Sequence, residues 1–348
     1  MTAGAPAVPG AAPDGPLVDD PRPVLFVTGH APPERVGAFA ALHARVRVVF
    51  ALFGGRALHA TTGVRDLPFG FVRPTQRGVG ALAASGRFSA VICGTGGRVA
   101  FPAAYAGARA AGVPFVLWSS LWAHPRSLAG AAGWPLLAHV YRTADAVVTY
   151  GPHVSRYVRR HGARNVHEAP QAVDNAFWGA PADPPPRAGF DVLFVGRPGH
   201  QKGYDLVRQA WPGATAVGPD LPGGVLGPEA LRNFYAAADV VVVPSRPTAT
   251  VRETWGLVVN EAMCQGTPVI ASDAVGAAAA GGLVRDGWTG LVVPAGDPAA
   301  LRRAILRLRD DPALRARLGA GARDAVGAYT FAAWAEGFRA ALDTLAAR

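Results

Sequence analysis

The sequence predicts two doubly wound, Rossmann-like α/β domains that face each other across a cleft. Three observations carry this. Short β-branched runs alternate with helical stretches along the chain. The run Pro184-Pro-Pro186 breaks that alternation near the midpoint. The alternation then restarts, and 348 residues suit two domains that each bury a core.

In order, Val24–Thr28 reads as a strand, 35–44 as a helix and Val46–Phe50 as a strand. Strand Ala90–Cys93 precedes a helix over about 98–111, and strands Pro114–Trp118 and Ala146–Thr149 follow. Prolines in sequence fit neither a helix interior nor a central strand, so 184–190 is the predicted linker. Beyond it come strands Asp191–Val195, Ala214–Val217, Val240–Val243, Pro268–Ile270 and Leu291–Val293. Asp297-Pro298 and Asp311-Pro312 each pair an N-cap Asp with a proline in the first turn. The expected organisation is a disordered lead-in over 1–22, a first domain over 23–183, a second over 191–328, and a terminal stretch over 329–348. A helix from about Phe331 to Ala346 in that last stretch is expected to pack back on the first domain.

Composition narrows the function. Half the residues are apolar, which excludes a disordered chain, and no apolar run approaches the ~20 residues of a membrane span. The N-terminal residues lack the basic and apolar regions of a secretion signal, so the expected location is the cytoplasm, with peripheral contact at the inner membrane face left open. Cys93 and Cys264, the two cysteines, suit neither a disulfide nor a metal site. The net charge of +10 suits phosphate-bearing substrates or an anionic membrane face. Nucleic acid is not expected as a partner, because no basic run is interleaved with aromatics. Gly94-Thr-Gly-Gly-Arg98 follows a strand, but Val99 stands where a dinucleotide loop needs its third glycine. No cofactor is therefore expected.

Of 34 basic residues, Lys202 is the single lysine, and Glu253 and Glu261 are two of only six glutamates. Lys202 sits in Gln201-Lys-Gly203, shortly after Val195-Gly196-Arg197 at a strand end. Gly196 lets backbone approach a ligand, and two cations there suit a departing diphosphate. Glu253-Thr-Trp-Gly-Leu-Val-Val-Asn-Glu261 crosses a predicted helix start at Gly256. The N–H groups around Gly256, Leu257 and Val258, beside Trp255, would face a phosphate or sugar oxygen. Carboxylates accept from paired hydroxyls, which suits Glu253 to a hexose and Glu261 to a ribose. No Asp-x-Asp occurs, so no metal is expected.

These motifs, with Glu261-Ala-Met-Cys-Gln-Gly-Thr-Pro-Val-Ile270 and Asp286-Gly-Trp-Thr-Gly-Leu291, resemble glycosyltransferase family 4. The resemblance implies the GT-B architecture and a retaining, metal-independent hexosyltransferase with a nucleotide-diphosphate sugar as donor and co-substrate. Its acceptor would be a hydroxyl on a lipid-linked saccharide, glycan, polyol or natural product. The resemblance also implies Arg197 and Lys202 at the diphosphate, Glu253 at the sugar and Glu261 at the ribose. Gly37, in Pro32-Pro-Glu-Arg-Val-Gly37, is the candidate for the family's N-terminal glycine loop. His124 is the candidate for its first-domain histidine, and with Glu253, Arg197 and Lys202 it completes the catalytic set. The stretch from Gly218 to Tyr235 is shorter than the family's, which leaves the base unassigned. Two rival readings are a catalytically silent GT-B partner subunit and a GT-B sugar-nucleotide epimerase.

Overall fold

A computed structural model describes residues 20–54, 67–124, 126–186, 189–250 and 252–346. The lead-in expected over 1–22 lies outside them up to residue 19, and residues 187 and 188 of the linker do too.

Seven parallel strands form the first sheet: β1 (Val24–Thr28), β2 (Val48–Leu52), β3 (Phe71–Val72), β4 (Val91–Gly94), β5 (Phe115–Ser119), β6 (Ala146–Thr149) and β7 (Val166–Glu168), in the order β3-β2-β1-β4-β5-β6-β7. Five form the second: β8 (Val192–Val195), β9 (Thr215–Val217), β10 (Val240–Val243), β11 (Val269–Ser272) and β12 (Gly290–Val293), in the order β12-β11-β10-β8-β9. All their pairings are parallel. The short edge strands β3 and β7 escaped sequence reading because two or three residues show no periodicity.

The helices are α1 (Pro33–His43), α2 (Gly78–Ala83), α3 (Ala100–Ala110), α4 (Leu128–Thr143), α5 (Pro152–Arg160), α6 (Asn175–Trp178), α7 (Tyr204–Ala210), α8 (Pro228–Ala237), α9 (Leu257–Cys264), α10 (Pro298–Asp310), α11 (Pro312–Val326) and α12 (Phe331–Ala346). The start of α1 follows from Pro33, whose missing N–H costs nothing in a first turn. Asp297 and Asp311 cap α10 and α11, each accepting a backbone N–H three residues on at 2.8 Å.

Each sheet is buried on both faces, which is why its strands are continuously apolar. One face of the first sheet packs on α1 and α12, and the other on α2 to α5. Helices α8 and α9 cover one face of the second sheet, with α7 and α10 on the other and α11 reaching both.

The chain ends on the domain where it began. Trp334 and Phe338 of α12 are buried against Phe26, Phe39 and Trp118. Trp118 is therefore core, while Trp134 lies apart against His124 and His161. Trp334 is 1% exposed, so Trp334→Ala would leave a large void. We expect it to cost about 3–5 kcal/mol in equilibrium denaturation, with helix α12 loosened first.

Candidate functional site between the domains

In a doubly wound sheet, ligands bind beyond the strand ends where the strand order reverses. In the second sheet that point lies between β8 and β10. A cavity of about 420 Å³ opens there, lined by Val195 and Val243 at those strand ends and by residues of the first domain opposite.

Two glycines shape its walls. Gly203 has φ 73°, and a Cβ there would lie 2.4 Å from the Pro244 carbonyl oxygen. Only glycine lets the loop holding Lys202 lie this close to the end of β10. Gly256 has φ 96° and caps α9, turning the N–H groups of Leu257 and Val258 toward the cavity that both residues line.

Lys202 Nζ lies 2.6 Å from Glu253 Oε2, and the Ser245 hydroxyl donates to the same oxygen at 3.3 Å. Glu253 is the more enclosed partner, its side chain 13% exposed against 36% for Lys202. Lys202 can therefore turn toward an arriving anion while Ser245 keeps a hold on the carboxylate.

Glu261 lines the same cavity and accepts from the Tyr235 hydroxyl at 2.7 Å. Burial pushes its carboxyl up to about 7, Glu34 adds to the rise, and the tyrosine bond opposes it.

The first domain supplies side chains that motif reading missed. Arg35, near the start of α1, donates to the Tyr150 hydroxyl at 3.0 Å and to Gln171 Oε1 at 2.8 Å. Its guanidinium lies 5.0 Å from the centroid of the Trp118 ring. Glu34, Arg35, Tyr150 and Gln171 all line the cavity. Gln171 is 1% exposed, and its amide nitrogen has no hydrogen-bond partner. Such an orphaned donor beside a cavity is a ready contact for a ligand oxygen. Arg35 lies in a segment the sequence had marked, Pro32–Gly37, and a lone basic residue at a helix start was the available signal.

The first domain also grips the backbone around Glu253. The Trp122 indole donates to the Glu253 carbonyl at 3.2 Å, and His153 Nε2 lies 3.0 Å from the Thr254 carbonyl. Burial drives the His153 pKa down to about 4, so at neutral pH the ring is neutral and its Nε2–H donates. Beneath them, Trp255 Nε1 donates to Asn260 Oδ1 at 2.7 Å, and Asn260 Nδ2 donates to the Gln171 carbonyl at 2.9 Å.

The cavity thus gathers Lys202, Glu253, Trp255, Gly256, Leu257, Val258 and Glu261. The other four candidates lie elsewhere. Arg197 is exposed just beyond β8, outside the lining, and the Gly196 N–H is taken by the Val217 carbonyl at 3.0 Å. Gly37 is corrected: it lies within α1, where a Cβ would come 2.2 Å from the Phe331 ring. Its missing side chain lets α1 pack on the start of α12. His124 stands edge-on to Trp134 at 4.7 Å and lines a separate cavity.

The raised Glu261 pKa predicts a pH dependence with a definite sign. Between its ordinary 4.5 and about 7 the folded protein holds a proton that the unfolded chain has released. This group's contribution is full below 4.5 and is lost as pH rises through 7. Compared with Glu261→Gln, the wild type should lose relative stability across that window in denaturation series. Parallel curves would contradict the assignment.

Comparison with known proteins agrees with this geometry. Residues 218–311 match the family model described as Glycosyl transferases group 1. D-inositol 3-phosphate glycosyltransferase of Thermomonospora curvata is 46% identical over 95 residues, 26% of this chain and 20% of that protein. The Acidothermus cellulolyticus protein of the same name is 37% identical over 143 residues, 39% of this chain and 29% of its own. The matches therefore span well under half of these relatives' length. Among solved structures, Anabaena HepE in complex with UDP and glucose superposes with a TM-score of 0.72 at 17% identity, covering 93% of this chain and 100% of that one. Sucrose-phosphate synthase from Thermosynechococcus elongatus gives 0.70 at 21% identity, covering 91% and 97%. The chain thus has the GT-B fold, and residues 218–311 match the glycosyl transferases group 1 model, in line with the motif resemblance to glycosyltransferase family 4.

Proposed function

We propose that this chain transfers a hexose, with retention of configuration and without a metal, from a nucleotide-diphosphate sugar to a hydroxyl acceptor. The observation that carries this reading is the Lys202–Glu253 pair, 2.6 Å apart, in a cavity that also holds the start of α9 and Glu261. Within the protein each charge satisfies the other. When the donor enters, its diphosphate takes Lys202, and Glu253 is released to accept from the sugar hydroxyls. The N–H groups at the start of α9 and the orphaned Gln171 amide supply further donors. Glu261 meets the ribose, whose hydroxyls donate to it and favour its charged form, the proton passing to solvent. We assign Arg197, exposed just beyond β8, to the phosphate as well, reached by a swing of its long side chain.

Retention calls for a carboxylate nucleophile or a same-face attack. In this reading Glu253 accepts from the sugar hydroxyls, and Glu261, held by Tyr235, meets the ribose, so neither is left to attack the anomeric carbon. We favour the same-face route. The C–O bond to the diphosphate breaks, the acceptor oxygen bonds to the anomeric carbon, and its proton passes to the departing phosphate. The sugar nucleotides bound in HepE make UDP-glucose the first donor to try.

Among the described residues no helix is long and apolar enough to cross a membrane, and no group of three or more His, Cys, Asp or Glu could hold a metal ion.

Lys202→Ala should lower the rate of nucleotide release from the preferred donor by about 10²-fold or more, as loss of an oxyanion-stabilising group does elsewhere. Assays across UDP, GDP, ADP and dTDP sugars would measure it. A wild-type rate in Lys202→Ala would sink the assignment, and binding of every donor without turnover would favour the silent-subunit reading. Activity should also persist in excess chelator; loss reversed by Mg²⁺ or Mn²⁺ would contradict a metal-free reaction.

A further inference from the structure

Arg35 is a cation held in place by neutral partners. Its Nη2 donates to the Tyr150 hydroxyl at 3.0 Å and to Gln171 Oε1 at 2.8 Å, so both hydrogens of that nitrogen are taken. The guanidinium lies 5.0 Å from the Trp118 ring centroid and 5.4 Å from that of Tyr150. Although Glu34 precedes it, no ion pair joins Arg35 to a carboxylate among the described residues. Arg246, Arg315 and Arg339, by contrast, each face an aspartate or glutamate. The Nε and Nη1 donors of Arg35 have no partner among the described residues either, and the residue lines the cavity between the domains. The fold thus fixes this charge without neutralising it.

The contacts around Arg35 set it over one point. Gln171 is 1% exposed, and its Nε2 is unpartnered while its Oε1 holds Arg35, so the two free donor groups stand side by side. The Gln171 carbonyl accepts from Asn260 Nδ2 at 2.9 Å, which ties this first-domain wall to α9. That is the helix whose first N–H groups, at Leu257 and Val258, face the cavity. Glu34 is near enough to Glu261, one turn into the same helix, to raise its carboxyl. Arg35 and Gln171 therefore close over the start of α9 from the first domain, while Lys202 lines the same cavity from the second.

We propose that Arg35 and Gln171 are donor-binding residues that take the diphosphate from the first domain, so that a cation from each domain grips it. The proposal rests on the glycosyl-transfer reading and adds to it the residues by which the first domain recognises the donor. The motif residues around the diphosphate, Arg197, Lys202 and the start of α9, all belong to the second domain. A diphosphate carries more charge than Lys202 can match and has oxygens enough to reach both walls and the helix start. Its charge grows as the bond to the sugar breaks, and a guanidinium already held in position meets that charge without rearranging.

The test is calorimetric titration of UDP and of uridine into wild type and variants. Arg35→Gln should weaken UDP by about tenfold or more, since a hydrogen bond to a charged group is worth at least that factor, and should leave uridine little changed. Arg35→Lys should fall between, keeping the charge and losing the planar fork. Gln171→Glu leaves Arg35 in place but gives it a carboxylate, and should weaken UDP as much as Arg35→Gln does. An arginine with a merely structural role would gain from that carboxylate and leave UDP binding as in wild type. Wild-type affinity for UDP in Arg35→Gln or in Gln171→Glu, or an equal loss for uridine, would overturn the proposal. Lys202→Ala keeps the two readings apart: loss of UDP there with none in Arg35→Gln would retain the donor site and strike the first-domain contact. Failure of wild type to bind any of UDP, GDP, ADP and dTDP would sink the donor reading, and this proposal with it.

Discussion

The segment bearing Glu253 is held from both domains at once. From the first domain, Trp122 and His153 donate to consecutive carbonyls, those of Glu253 and Thr254. From the second, Gly256 takes a left-handed turn into α9, and Trp255 beneath it is locked on Asn260. A carboxylate on a free loop would wander; here its backbone cannot move without breaking contacts on two bodies. The cavity between the domains therefore depends on their staying in register. A ligand touching both sides would strengthen that register, and loss of the His153 or Trp122 contact would loosen it.

Electrostatics follow from the same constraint. Two of the cavity's glutamates have different fates because their surroundings differ. Glu253 accepts from both Lys202 and Ser245. Glu261 lies deeper with one tyrosine hydroxyl for company, and burial lifts its pKa. A ribose diol would give Glu261 the hydrogen bonds that it now lacks. A diphosphate would do the same for Lys202. The protein alone gives Lys202 one partner, Glu253, and Glu261 one, Tyr235, and a sugar nucleotide would add to both.

Much of the fold was legible in the sequence, since its main strands are continuous apolar runs separated by capped helices. The second-domain side of the site was legible too, because Lys202 follows the end of β8 and Glu253 and Glu261 follow the end of β10, each within a short motif. The first-domain side was not. Arg35, Tyr150 and Gln171 come from separate segments, and only the fold brings them to one wall. Gly37 shows the opposite difficulty. A glycine that admits a neighbouring phenylalanine ring and one that admits a phosphate look alike in sequence. Arg197 shows a third: a strand end fixes where its backbone emerges, not where a long exposed side chain rests.

The central claim is that the Lys202–Glu253 pair opens to receive a diphosphate. A crystal structure with UDP-glucose bound tests it most directly. The account predicts the diphosphate within hydrogen-bond reach of Lys202 Nζ, Glu253 turned to the glucose hydroxyls, and the 2.6 Å contact between the two lost. A donor seated elsewhere, with that contact intact, would contradict it.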